Sequence, residues 1–345
     1  LFRSYPQCDI TVQKLARKLW GDCDGKTVFV HAFGKGRVIW RQTVVRPPAE
    51  YGNFAAVTNV LAGMGVPPDF VADGPIRYTH RRDGDTDIYF LANREDRTVE
   101  ASCQFRVTGR QPELFDPMTG QTRDLPQFIF RAGHTTIPMR FEAEQSYFVV
   151  FRKPVAAGLT QAKNFPTCHD TGVSFTGPWE VNFDPQWGGP QKITFNSLED
   201  WSQRPEPGIK YYSGQATYRK TFNVPAGTLV SGGRYFLDLG EVKNLARVRL
   251  NGHDLGVAWC RPWRVNASNV IKPGNNQLEI EVANLWPNRL IGDQSLPPDK
   301  QFTWTTLNPY KKDSPLLPSG LLGPVSLLQT VPVELDPKKL STLRR

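Results

Sequence analysis

The chain has 345 residues, 39% of them hydrophobic, with 42 lysines and arginines against 33 aspartates and glutamates for a net charge of +9. That length accommodates two or three domains with sizeable cores, and no run of about eighteen apolar residues exists that would cross a bilayer as a helix. The positive excess is spread along strand faces and into the closing DPKKLSTLRR. No arginine-rich run, zinc-finger spacing or aromatic RNA-binding pattern accompanies it, so nucleic acid is not expected as a partner, while an acidic polysaccharide stays open.

From residue 1 to about 75 helix and strand patterns mix. Val12, Leu15, Ala16 and Leu19 recur at helical spacing. Residues 28–33 and 37–40, joined at Gly34-Lys35-Gly36, read as a hairpin. A strand follows those glycines, so a tight turn is expected there and not a phosphate cradle, which needs a helix N-terminus. A second helix is predicted over Phe54–Met64, with Asn53 as N-cap and a stop at Gly65 before Pro67-Pro68. The start Leu-Phe-Arg has neither a Met nor a charged-then-apolar leader, and the segment reads as truncated at its beginning.

Residues 76–153 alternate at strand period, with turn residues about every ten positions, which predicts a small β-sandwich. Pro112-Glu-Leu-Phe-Asp-Pro-Met-Thr-Gly120 lies between two of those strands as a loop. Residues 154–172 carry neither periodicity and are expected to be a linker. A third domain is predicted over 173–333, followed by a basic tail at 334–345. Within it Arg247 and Arg249 alternate with Val248 and Leu250, Asn251-Gly252 supplies a turn tolerant of positive φ, and Leu255, Val257 and Trp259 resume an apolar row on the return strand. Leu278, Ile280 and Val282 repeat the alternation after Pro273-Gly274, and residues 320–329 supply a closing strand. The expected fold class is mainly β.

The ordered series Tyr212-Ser-Gly-Gln-Ala-Thr-Tyr218, Leu239-Gly240, Ala246 to Gly252, Leu255-Gly256, Trp259, Pro262, Gly274-Asn275 and Asn284-Leu-Trp-Pro-Asn-Arg-Leu-Ile-Gly-Asp293 resembles the galactose-binding-like jelly roll, in its family 2 sugar-binding form. The block Asn284–Asp293 and the loop Pro112–Gly120, which has Phe115 where a Trp is usual, are similar to segments of α-L-rhamnosidases of glycoside hydrolase family 106. The first segment resembles the last part of a flavodoxin-like α/β domain of large glycosidases. The resemblance implies a truncated α/β segment, a small β-sandwich and a jelly-roll β-sandwich. In the family the catalytic glutamates belong to an upstream (β/α)8 barrel, so the chain is expected to be a non-catalytic C-terminal part of a bacterial enzyme acting on rhamnose-containing glycans, itself secreted or periplasmic. A free-standing carbohydrate-binding protein and a purely structural or oligomerising module are the competing readings.

Glycoside hydrolysis normally needs two carboxylates flanking the bond. Glu199-Asp200 beside Trp201, and Asp238 with Glu241, are the candidates present, against a background of ordinary exposed carboxylates. His31, His80, His134, His169 and His253 show no metal-binding spacing, and the five cysteines Cys8, Cys23, Cys103, Cys168 and Cys260 share no CxxC, so free thiols are expected. Sugar rings stack an apolar C–H face on indole while Arg, Asn and Asp orient their hydroxyls. Trp259, Arg261 and Trp263, and Trp286, Asn288, Arg289 and Asp293, offer that mixture and are the carbohydrate-binding candidates, with core or domain-interface packing as the bland alternative for each Trp. No cofactor is indicated. The jelly-roll resemblance leaves room for a structural calcium ion held by loop carbonyls and a carboxylate, which no side-chain spacing can place.

Overall fold

In a computed structural model, the described residues are 7–24, 26, 29–40, 55–155, 163–165 and 167–330. They form two compact units, Leu1–Pro68 and Asp69–Arg345. The expected N-cap Asn53 and the tail beyond 330 lie outside the described residues.

In the first unit a helix spans Gln7–Trp20, and the strands Phe29–Phe33 and Gly36–Trp40 pair antiparallel from Phe29 opposite Trp40 to Phe33 opposite Gly36. Gly34 takes φ +60° in the turn, a conformation open to glycine at no steric cost. A second helix covers Ala55–Gly63, and Val66 N–H donates to Leu61 O at 3.0 Å around Gly65 at φ +72°, a glycine stop of the expected kind. No described side chain of this unit is buried, and Ile10, Leu15, Val57 and Met64 are all exposed.

The second unit holds two cores. In the first, Val99, Ala101, Cys103 and Phe105 alternate inward along Val99–Phe105, which pairs with His134–Phe141. A four-stranded sheet (Phe70–Ala72, Val99–Phe105, His134–Phe141, Ile129–Arg131) faces a five-stranded one (Ile76–Asp83, Thr86–Asn93, Ser146–Pro154, Arg110–Phe115, Thr122–Asp124). Tyr89, Phe105 and Phe151 meet between them at ring separations of 4.9–6.0 Å. The sandwich starts at Phe70, ahead of the expected Ile76, because Phe70 packs on the rings of Tyr78, Tyr89 and Phe105. The Pro112–Gly120 motif is half strand: Arg110–Phe115 pairs on both sides, and only Asp116–Gly120 forms the turn, closed by Gly120 N–H to Asp116 O at 2.9 Å. The expected linker is likewise tied down at both ends. Buried Asn164 bonds Gln127 and Pro138, Phe165 packs on Tyr147, and Cys168–Asp170 pairs with Ser326–Thr330.

The second core lies between a four-stranded sheet (Cys168–Asp170, Ser326–Thr330, Arg234–Asp238, Arg264–Asn266) and a six-stranded sheet ordered Ile193–Phe195, Trp179–Phe183, Gln215–Val224, Gly274–Ala283, Leu245–Leu250, His253–Ala258. Its centre is aromatic. Trp201 donates its indole N–H to Tyr218 Oη at 2.6 Å, and the Tyr212 hydroxyl donates to Gln215 O at 2.8 Å, so these large side chains are buried without stranding their polar ends. Asn251 and Gly252 turn the expected hairpin at φ +50° and +82°. The return strand departs from its predicted phase. Val248 opposes Gly256 but Arg249 opposes Asp254, so Leu255 is an extra residue, and this bulge turns Val257 outward, leaving Ala258 buried and Trp259 exposed. The closing strand is broken as well, into Gly320–Gly323, paired with Glu241–Lys243, and Ser326–Thr330, on either side of Pro324, which has no N–H for a ladder.

Candidate functional site

Strand register brings the two groups of candidate residues to one end of the six-stranded sheet. Ala283 opposes Gln215 and Leu245, while Ala246 opposes both Val282 and Ala258. The chain therefore leaves for Trp259 and for Asn284–Trp286 at the same end, one intervening strand apart, or about 10 Å.

The second group builds a short helix, Pro287–Asp293. Seven residues do not hold a helix alone, and side chains anchor this one. Asn288 donates to Leu317 O at 2.7 Å and accepts from Leu317 N–H at 2.8 Å, and Asn284 Nδ2 donates to Tyr212 O at 2.8 Å. Arg289 and Asp293 are 4% and 2% exposed, with Nε and Oδ1 facing each other at 2.9 Å, off the line of a hydrogen bond. The other carboxylate oxygen of Asp293 accepts from Phe302 N–H, Thr303 N–H and the Thr303 hydroxyl, at 2.7–3.2 Å. Arg289 lies over the Phe302 ring at 4.6 Å. Burial pushes its guanidinium pKa down, against the opposing pull of Asp293. Asn288, Arg289 and Asp293 thus point inward and fasten the loop, while Trp286 stands 58% exposed at the helix start.

That fastening places aromatic residues which the sequence did not single out. Phe302 lies against Gly188, where an added Cβ would come within 2.7 Å of its ring, and Trp187 precedes that glycine. Asp293 holds Thr303, next to Trp304, which is 81% exposed, and Asn308 donates to Leu290 O, holding the segment that follows the exposed Leu307. Segments far apart in sequence therefore present Trp187, Trp286, Phe302 and Trp304 around one short helix. The signal present in the sequence is only that seven of the nine tryptophans fall within residues 173–333. Exposed indoles carried by a hydrogen-bonded frame can stack on sugar rings.

The first group behaves differently. Trp259 is 55% exposed, but Trp263 packs against the jelly-roll core. Arg261 reaches Glu144 of the small sandwich at 3.8 Å, and Cys260 Sγ meets Met118 Sδ at 3.3 Å. The Trp259–Trp263 loop and the Asp116–Gly120 turn, two separate motifs in the sequence, touch each other.

The candidate carboxylates are all occupied. Glu199 pairs with Arg204 at 2.7 Å, Asp200 accepts from the N–H groups of Ser202 and Ser319, Asp238 pairs with Arg264 at 2.7 Å, and Glu241 with Lys243 at 2.6 Å. Among the described residues no three His, Cys, Asp or Glu side chains gather as metal ligands. His80 is bracketed by Asp69 and Asp87 and stacked on Tyr89 at 4.0 Å, at an edge of the small sandwich. Cys23, Cys103, Cys168 and Cys260 are free thiols.

Residues 4–129 match the family model described as alpha-L-rhamnosidase, and residues 206–312, which include the short helix, Trp286, Phe302 and Trp304, match the model described as glycosyl hydrolase 2 galactose-binding domain-like. The chain joins a segment similar to alpha-L-rhamnosidases to a galactose-binding-like one. The solved rhamnosidase of Novosphingobium sp. PP1Y superposes on 94% of the chain with a TM-score of 0.73 and 37% sequence identity, covering 29% of that enzyme. A Formosa agariphila protein provisionally named a beta-glucuronidase is 34% identical over 251 residues, 65% of this chain and 21% of its own length. The chain thus spans less than a third of either relative, and the two names give different sugars.

Proposed function

We propose that the chain is the non-catalytic part of a bacterial glycoside hydrolase acting on rhamnose-containing glycans, contributing domain assembly and sugar contact beside a catalytic barrel elsewhere in a secreted or periplasmic parent. The rim of Trp187, Trp286, Phe302 and Trp304 around Pro287–Asp293, of which all but Trp187 lie inside the galactose-binding-like segment, carries the sugar-contact half of this reading. The likeness to a rhamnosidase over nearly the whole chain supports the parent's class. The pairing of each candidate carboxylate with a cation or backbone amide supports the absence of hydrolysis here.

The purified chain is expected to release no sugar from an aryl α-L-rhamnoside and to bind rhamnose-containing oligosaccharides weakly, with binding lost in the Trp286→Ala, Trp304→Ala double variant. Sugar release would overturn the non-catalytic role. A complete lack of glycan binding would favour a purely structural module, the reading that the Arg261–Glu144 and Cys260–Met118 contacts support.

A further inference from the structure

We infer that the outer face of the six-stranded sheet carries a second saccharide site, one that selects acidic sugars bearing a carboxylate or a sulfate ester. The inference rests on the reading of the chain as a glycan-recognising module and names a ligand class for it. Small-molecule sites occupy about 300–1,000 Å³, and the cavity over this face measures about 720 Å³, lined by Thr194, Arg219, Thr221, Arg249, Gln277 and Glu279 among others. Register sets Glu180, Arg219, Glu279 and Arg249 side by side across four strands, all on the face away from the core.

The charges lining the cavity do not cancel. Glu279 is shared by two guanidinium groups, accepting from Arg219 Nε at 2.9 Å and from Arg249 Nη1 at 2.8 Å. Glu180 is taken by Lys192. Among the residues lining the cavity, Arg219, Lys220 and Arg249 stand against Glu180 and Glu279. Arg219 also donates to Asn182 Oδ1 at 2.7 Å, so its guanidinium is held at two points, while a guanidinium has five N–H donors and several on each arginine remain for a ligand. Their side chains are 48% and 33% exposed. Desolvation alone would raise the Glu279 pKa, yet the hydrogen bonds from Arg249 and Arg219 hold it below the ordinary carboxylate range, so the frame stays ionised at neutral pH. Exposed Thr194, Thr221 and Gln277 border the row with hydroxyl and amide groups suited to sugar hydroxyls. One row nearer the aromatic rim the balance reverses: Arg247 pairs with Asp254 at 2.6 Å and Glu281 lies opposite it, so the positive excess is confined to the cavity. Glu279 and Gln277 precede Ala283 by four and six positions, about 14–20 Å along the strand, which separates this site from the rim.

The test titrates the full 345-residue chain with an oligouronate, a sulfated oligosaccharide, a neutral rhamno-oligosaccharide and duplex DNA, by calorimetry at low and high salt. At least one acidic saccharide should bind, more weakly at high salt, and the two acidic arms show which anion is preferred. Arg249→Gln should weaken that binding about tenfold, the loss of a charge-assisted contact. Glu279→Gln should strengthen it, because it frees two guanidinium groups; a merely structural ion pair would give no gain. Circular dichroism confirms that each variant is folded. Absence of acidic-saccharide binding, indifference to Arg249→Gln, a loss with Glu279→Gln, or equal affinity for DNA would each overturn the inference. If the neutral oligosaccharide binds and the acidic ones do not, the groove fails while the rim reading stands; if no saccharide binds, both fail.

Discussion

Arg289 and Asp293 sit one helical turn apart with almost no contact with water, and a buried ion pair of this kind is costly to break from one side. Asp293→Asn should remove the charge opposing Arg289 and destabilise the protein by about 3–5 kcal/mol, read as a lowered midpoint in urea, whereas replacing both with apolar residues should cost less. Glu113 tests a different balance. Its carboxylate is buried, and although desolvation would raise its pKa, hydrogen bonds from Arg152 and Lys153 bring it below the ordinary value near 4.5. A carboxylate with a depressed folded pKa contributes stability above its unfolded pKa and loses it as pH falls through the folded value. The stability gap between wild type and Glu113→Gln should therefore be full at neutral pH and shrink below about pH 4.5, as urea midpoints measured across pH would show. Cys103 needs no partner to stay inert. Burial pushes its thiol up to about 12, so iodoacetamide under native conditions should leave it unmodified in a peptide mass map.

The hairpin Leu245–Leu250, His253–Ala258 was legible because Asn-Gly between alternating strands names its own turn. Asn251 also works through its side chain, donating to Asn276 Oδ1 at 2.8 Å and accepting from Gln277 N–H at 2.9 Å. Asn251→Ala should cost about 1–3 kcal/mol through the positive φ and the lost bonds, measurable as a drop in thermal midpoint. The bulge at Leu255 was not legible: an extra residue shows only against a paired strand, and alternation read from one strand runs straight through it. The helix Pro287–Asp293 was hidden for a related reason. Its Pro at the first position is a start signal, but seven residues give little periodicity, and contacts with Leu317, Phe302 and Thr303 hold it. Gly292→Ala should loosen that helix and with it the rim, since the new Cβ would come within 2.6 Å of Tyr211 Cβ; lower affinity for rhamnose-containing oligosaccharides than wild type is the expected reading.

Across the molecule, stability follows burial unevenly. Strands such as Gln215–Val224, paired on both sides over an aromatic core, contrast with the hairpin Phe29–Trp40, which among the described residues has no third strand and no buried side chain. Hydrogen exchange should therefore be far faster in the hairpin amides than in Gln215–Val224; equal protection would contradict this ordering. The alternation of Val99, Ala101, Cys103 and Phe105, or of Leu278, Ile280 and Val282, determined by itself that these segments are strands with one buried face, because a period of two leaves only one way to place apolar groups away from water. The motifs around Pro112, Asn251 and Asn284 likewise announced a rhamnosidase-like, galactose-binding-like chain. Which polar residues lie at the surface and which turn inward was decided only by the tertiary structure. Asn288, Arg289 and Asp293 look like sugar contacts in sequence and turn inward in the fold, while Trp304 owes its exposure, and the Arg219–Glu279–Arg249 row its pairing, to neighbours distant in sequence, because exposure and charge balance belong to the assembled surface and not to any one segment.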